Sequence, residues 1–236
     1  MLEKQPEAIQ EKVKKLATES QKTNPTAWFD ILYSEAEGDA TKIPWARLTT
    51  HPYLQEWLDI SQPQGKGHTA LVIGCGLGDD AEALANLGFQ VTAFDISTQA
   101  IAWCQKRFPD SSVNYLVADL LELDSGWYRK FDLVVESRTI QALPIEMRSQ
   151  VINCIAPLVA NGGTLLVITR IRDYNSLPDG PPWPLSEKEL AEFIELGLEE
   201  MRRNFFLSEA GENIIKQVWI EYCLNTHKTY SNFGGA

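Results

Sequence analysis

The sequence predicts an α/β fold, a doubly wound and mostly parallel sheet with an antiparallel last strand and helices on both faces. Three observations predict it. Residues 69–80, TALVIGCGLGDD, run from a short apolar stretch through a glycine-rich turn into an acidic helix start, the form of a first parallel strand and its nucleotide cradle. Apolar strand patterns then alternate with helical ones as far as residue 171, which implies βαβ units. Finally, residues 214–224 alternate loosely between apolar and polar, as expected for an antiparallel closing strand.

Taken in order, residues 3–20 read as an amphipathic helix with Ile9, Val13, Leu16 and Ala17 on one stripe. Two roles are open to it, an extension packed over the domain or a lid. Residues 25–57 carry Trp28, Phe29, Tyr33, Trp45, Tyr53 and Trp57, a high density of aromatics ahead of the sheet. Leu32, Leu54 and Trp57 are expected in the core. Residues 61–68, SQPQGKGH, form a polar linker, which divides the chain into an N-terminal segment, 1–60, and a main domain, 61–236.

In the cradle, Gly74, Gly76 and Gly78 give a turn free of Cβ atoms that a ligand can approach closely. A dinucleotide site has the spacing G-x-G-x-x-G, with amides and helix dipole aimed at a pyrophosphate. Here Asp79 occupies the place of the third glycine and Asp80 follows. Two carboxylates at the helix mouth repel a pyrophosphate but suit a cation, such as the ammonium and sulfonium of S-adenosylmethionine. A nicotinamide dehydrogenase is therefore disfavoured. The alternative is that both acids only cap a helix and the glycines only make a turn.

The second strand, Gln90 to Phe94, ends in Asp95, seventeen residues beyond Gly78. An acid near that distance meets ribose hydroxyls; capping of the next helix, 98–108, can be left to Ser97 or Thr98. Pro109 closes that helix. Residues 113–118 form a third strand delivering Asp119, residues 120–130 a loop or short turn, and residues 131–136 a fourth strand. Glu136, Ser137, Arg138, Thr139 and Gln141 follow at the carboxyl edge, where ligands bind in such sheets. Arg138 either binds an anionic acceptor or pairs with Glu136; Gln141 either caps or faces solvent. A helix over 145–159, a Gly-Gly turn and a fifth strand come next. The rigid loop GPPWPL leads to a helix capped by Ser186 with Glu189 in the capping-box position, and Trp183 either walls a pocket or packs in the core. Residues 200–207 and 214–224 read as two final strands, and the polar tail from Thr226 is expected to fray.

Composition narrows the partners. A chain of 236 residues holds one sizeable α/β domain. A net charge of −11 argues against a nucleic-acid surface, which is normally basic, so the expected partner is a small molecule. Cys75, Cys104, Cys154 and Cys223 are scattered, His51, His68 and His227 form no local ligand pair, and no metal is expected. With a charged N-terminal helix and no apolar run near the roughly 20 residues of a membrane span, the expectation is a cytoplasmic protein away from membranes.

The motifs VIGCGLGDD, TAFDIS, LVADLLEL and FDLVVESRTIQAL, in this order, resemble those of the class I S-adenosylmethionine-dependent methyltransferases over about residues 66 to 225. The segment W-F-D-x-x-Y from Trp28, then Gly38 and I-P-W ending at Trp45, together with the Gly-Pro-Pro-aromatic loop, resembles the thiopurine and halide/thiol methyltransferase subgroup; Ala46 stands where that subgroup commonly has an acid. The resemblance implies the Rossmann-like seven-stranded methyltransferase fold, S-adenosylmethionine as cofactor, and residues 1–60 as a segment covering the substrate. It implies a cofactor-binding set of Trp28, Trp45, Gly74, Cys75, Gly76, Asp80, Asp95, Ile96, Ser97, Asp119, Leu120 and Glu136. In that set the glycines hold the methionine end, Asp95 the ribose, Ile96, Asp119 and Leu120 the adenine, and Glu136 lies under the methionine facing the acceptor. Tyr33, Glu136 and Arg138 are the implied catalytic residues. A soft acceptor, thiol or halide, needs no strong base, and none stands among the fold motifs; an oxygen or amine acceptor would need one from Asp30, Tyr33, His51 or Glu136. A non-catalytic cofactor-binding regulator is the alternative outside enzymes.

Overall fold

The computed structural model describes residues 7–21, 24–173, 176, 180–210 and 213–225. The expected fraying tail lies outside them, as do residues 3–6 of the first predicted helix. The described chain opens with α1 (Glu7–Ser20), α2 (Ala27–Ala36) and α3 (Pro52–Ser61). The α/β alternation follows as β1 (Thr69–Ile73), α4 (Asp79–Asn86), β2 (Gln90–Asp95), α5 (Thr98–Arg107), β3 (Asn114–Val117), β4 (Phe131–Ser137), α6 (Arg148–Ile155) and β5 (Val159–Ile171). It closes with α7 (Glu187–Glu195), β6 (Leu198–Ala210) and β7 (Asn213–Leu224).

The seven strands lie in the order β3-β2-β1-β4-β5-β7-β6. The first five pair in parallel, and β7 runs antiparallel to both its neighbours, as predicted. The reversal between β1-β2-β3 and β1-β4-β5 places a switch point at the carboxyl ends of β1 and β4, where open α/β sheets bind ligands. Period-two alternation sends Leu71, Ile73 and Val134 to one face, under α6 and α7, and Ala70, Val72, Leu133 and Val135 to the other, under α3, α4 and α5. A third cluster joins Val13 and Ala17 of α1 to Trp28, Leu32 and Tyr33 of α2 and to Ala100 of α5.

Two elements differ from their predicted form. The helix expected over 145–159 is a short α6 between 3-10 turns at Ile145–Met147 and Ala156–Leu158, because Pro157 lacks the amide that would continue the ladder. Gly162 and Gly163 do not turn the chain before β5. They lie inside it, where the pairing with β4 shifts register between Phe131 and Leu133, a bulge that glycine accommodates. The predicted capping box is present: Ser186 accepts from Glu189 N while the Glu189 side chain accepts from Ser186 N.

Candidate active site

The glycine turn is built by conformation. Gly74 and Gly76 have φ of 60° and 54°, a left-handed geometry that side chains with a Cβ adopt at a cost. A Cβ on Gly74 would lie 2.4 Å from Thr139 Oγ1, and one on Gly76 would lie 3.2 Å from Tyr33 Oη. The bare backbone between them lines a cavity of about 450 Å³ at the switch point. That is the scale of a small-molecule site.

Acids stand on one side of it. Asp95, at the end of β2, is buried; its carboxylate accepts from Gly76 N at 2.9 Å and from Ser97 N at 3.0 Å. Burial pushes its pKa up to about 6 against the opposing pull of those amides. Asp80 accepts from His51 N at 2.7 Å and is likewise raised by burial to about 6. Asp79 is different, because Arg107 of α5 grips it bidentately at 2.7 and 2.8 Å, so that its charge is largely matched. The predicted pair of cation-seeking carboxylates is therefore one, Asp80.

Aromatic rings form the roof. Trp28 and Phe29 stack with centroids 4.0 Å apart, and the Trp45 ring meets Trp28, Phe29 and Tyr33 edgewise at 5.8 to 6.0 Å. Trp45 Nε1 donates to Tyr33 Oη at 2.7 Å. Burial, with Asp95 nearby, pushes the Tyr33 phenol well above its ordinary value and keeps it neutral. α2 is fixed there by Asp30, whose Oδ1 accepts from Ser97 Oγ, Thr98 Oγ1 and Gln99 N at the start of α5.

The cavity wall brings together Trp28, Tyr33, Trp45, Gly74, Cys75, Gly76, Asp80, Asp95, Ile96, Asp119, Leu120 and Arg138. Two predicted residues fall elsewhere. Ser97 is buried as the N-cap of α5, its hydroxyl accepting from Ala100 N and donating to Asp30. Glu136 is fully buried and does not face the cavity. Its register partner on β1 is Ile73, so its side chain lies on the α6 and α7 face of the sheet; Ile73 reaches the cavity wall and Glu136 does not. Its Oε1 accepts from Ile140 N at 2.8 Å, holding the turn after β4, and burial raises its pKa to about 7.

The predicted alternatives at Arg138, Gln141 and Trp183 resolve as follows. Arg138, in left-handed conformation, donates to Gln217 Oε1 of β7 at 2.6 Å. Gln141 is buried and accepts from Arg170 N and Thr169 Oγ1, neither capping nor solvated. Trp183 packs with the α1–α2 cluster, while Pro181 and Pro182 supply the wall. Sequence reasoning passed over Arg47, Met147, Arg170 and Ile215, which also line the cavity; no motif marks them, and only the meeting of distant segments puts them there.

A glycine turn, a strand-end acid and an aromatic cover at the switch point of a seven-stranded sheet with an antiparallel last strand define an α/β methyltransferase that uses S-adenosylmethionine. The site fits that cofactor: bare backbone, ionisable Asp80 and Asp95, and aromatic faces suit a sulfonium-bearing nucleoside. A family model described as thiopurine S-methyltransferase matches residues 36–213, and the chain belongs to that family. It is 29% identical over 154 residues to the thiopurine S-methyltransferase of Aliivibrio fischeri, a match covering 60% of this chain and 71% of that protein. It is 32% identical over 141 residues to nodulation protein S of Sinorhizobium fredii, covering 57% and 62%. In fold it is similar to the N-methyltransferase NodS of Bradyrhizobium japonicum in complex with S-adenosyl-L-homocysteine, with TM-score 0.63, 21% identity, and coverage of 82% and 98%. Among the described residues no helix is long and apolar enough to cross a membrane.

Proposed function

We propose that this S-adenosylmethionine-dependent methyltransferase acts on a small molecule whose nucleophile is soft, a thiol, thiolate or halide. The supporting observation is that each of the four candidate bases carries a structural hydrogen bond. Asp30 holds the start of α5, Glu136 holds Ile140 N, Tyr33 accepts from Trp45 as a neutral phenol, and His51 Nδ1 accepts from Tyr53 N. An acceptor that needs no deprotonation by the protein suits such a site. The relatives carry both an S-methyltransferase and an N-methyltransferase name, so an amine acceptor is the second reading.

The cofactor supplies a methyl group already activated on sulfur. The chain's task is then to orient the two partners and exclude water, which alone can lower a barrier by several kcal/mol, up to about 10. In this reading the backbone of Gly74 and Gly76 receives the methionine end, Asp95 the ribose, and Ile96, Asp119 and Leu120 the adenine. Trp28, Tyr33 and Trp45 close over the reacting centre as part of the covering segment, residues 1–60, which α3 anchors to β7 through Trp57 Nε1 and Glu221 at 2.6 Å. Arg138 is the residue placed to touch the acceptor. The four free cysteines suit the reducing cytoplasm.

Calorimetric titration tests the reading: S-adenosylmethionine is expected to bind the wild type, at least tenfold more weakly to Asp95→Ala, and NADH not at all. A screen of methyl transfer to thiols, halides, phenols and amines then follows. The highest kcat/KM for a phenol or an amine would overturn the soft-acceptor reading.

A further inference from the structure

The charge of the cavity wall changes sign along the sheet. In the strand order β3-β2-β1-β4-β5-β7-β6, the wall residues at the carboxyl edge are Asp119 after β3, Asp95 at the end of β2, and Asp80 after β1, with Asp79 already paired to Arg107. Then come Arg138 after β4 and Arg170 on β5, while Arg47, from the loop before α3, is a further cation of the wall that acts on Asp80. The switch point divides the two sets. The acidic half coincides with the glycine turn and is the side assigned above to the cofactor, so the basic half is left for the acceptor.

The two arginines are not loose surface groups. Arg138 N donates to Ile168 O at 2.8 Å, and the left-handed turn directs its guanidinium across β5 to Gln217 Oε1. Gln217 is 1% exposed, and its Nε2 donates in turn to Ser208 Oγ at 3.1 Å. Arg170 is the register partner of Gln217 on β5, so both point to the same face of the sheet. One buried carboxamide thus stands between two guanidinium-bearing residues, while Gln141 ties down the Arg170 backbone. Beside them the wall is apolar, with Leu143, Met147 and Ile215.

We infer that the methyl acceptor is a small apolar molecule carrying an oxyanion, a carboxylate or phosphate, which Arg138 and Arg170 grip, and that Gln217 is a positioning residue for Arg138. Guanidinium groups match such planar or tetrahedral oxyanions bidentately, and a buried acceptor amide fixes the fork before the ligand arrives. The inference rests on the methyltransferase reading of the site, since it needs the acidic half to be taken by the cofactor.

The test is calorimetric binding to protein saturated with S-adenosylhomocysteine, using 2-naphthoate, 2-naphthyl phosphate and the neutral 2-naphthamide as probes. At least one oxyanion is expected to bind tenfold or more tightly than the amide, with affinity falling as salt rises; the stronger arm names the group. Arg138→Gln and Arg170→Gln are expected to lose tenfold or more for that probe and Gln217→Leu several-fold, with S-adenosylhomocysteine affinity unchanged in all three. Equal binding of amide and oxyanions by the wild type, or binding of none, overturns the inference and leaves the methyltransferase reading standing. So does a parallel loss of S-adenosylhomocysteine affinity in the arginine variants, which would give the guanidinium groups to the cofactor's own carboxylate. Failure of the wild type to bind S-adenosylhomocysteine overturns both.

Discussion

Asp30 and Ser97, 67 residues apart, are joined by a 2.7 Å hydrogen bond between a carboxylate on α2 and the N-cap hydroxyl of α5. The same oxygen takes Thr98 Oγ1 and Gln99 N, so the carboxylate lies where the dipole of α5 favours it. Burial opposes its ionisation, and the three hydrogen bonds outweigh burial to leave its pKa below the ordinary value. The covering helix is thereby fastened two residues from Asp95. Asp30→Ala is expected to lose about 1–2 kcal/mol in chemical denaturation, the range of a helix cap, and to weaken S-adenosylmethionine binding several-fold. A depressed carboxyl pKa contributes stability that is present above the unfolded value and lost as pH falls through the folded one. The difference between wild type and variant should therefore vanish in acid.

The two raised carboxyls on the cavity wall predict a pH dependence of opposite origin. Asp80 and Asp95, each near 6 through burial, are largely protonated at pH 5 and ionised at pH 7. A cationic cofactor prefers the ionised forms, so S-adenosylmethionine should bind several-fold more tightly at pH 7 than at pH 5. Asp80→Asn should flatten part of that slope. Calorimetry at the two pH values checks both; a slope unchanged in the variant would remove Asp80 from the cause.

Glu136 separates charge from shape. Its Oε1 supports Ile140 N, which the amide oxygen of glutamine can also do. Its folded pKa of about 7 lies above the ordinary value of 4.5 because of burial. The stability this contributes is full below the unfolded pKa and is lost as pH rises through 7. Glu136→Gln should therefore match the wild type near pH 4.5 and exceed it at pH 8 in thermal unfolding. Glu136→Ala leaves a buried amide unpaired and a cavity behind it, and is expected to cost about 2–4 kcal/mol at any pH.

Particular residues also show how far the sequence can be read. The run Ala70–Ile73, the glycines and the spacing to Asp95 are local, and local pattern predicted them; Ser186 and Glu189 likewise stand three apart and form the box that spacing implies. The face that Glu136 takes is not legible in the same way, because an apolar strand buried on both sides gives no alternation to orient it; the register with Ile73 puts it on the α6 and α7 face, and register is a property of two strands. The pairing of Asp79 with Arg107 is out of reach of local pattern, because Arg107 lies on the next helix. Arg138 follows β4, Arg170 lies on β5 and Gln217 on β7, so their proximity is written in the order β4-β5-β7 and in no single stretch.

The roof of the cavity gives the last prediction. Gly76 has φ of 54°, and a Cβ placed on it would stand 3.2 Å from Tyr33 Oη, in a contact tighter than ordinary packing. Gly76→Ala therefore meets two costs, about 1–2 kcal/mol for the left-handed backbone and a push on the phenol that accepts from Trp45. Tyr33→Phe removes the oxygen that is struck, at about 1 kcal/mol for the lost hydrogen bond. If both costs operate, the double variant is less destabilised than the sum of the singles, since the ring is then free of the added methyl group. If backbone strain is the whole cost, the two changes add. Denaturation of the four proteins in the cycle measures that coupling. S-adenosylhomocysteine affinity in the same set shows whether the turn tolerates any displacement of the ring, with Gly76→Ala expected to lose tenfold or more and Tyr33→Phe to restore part of it.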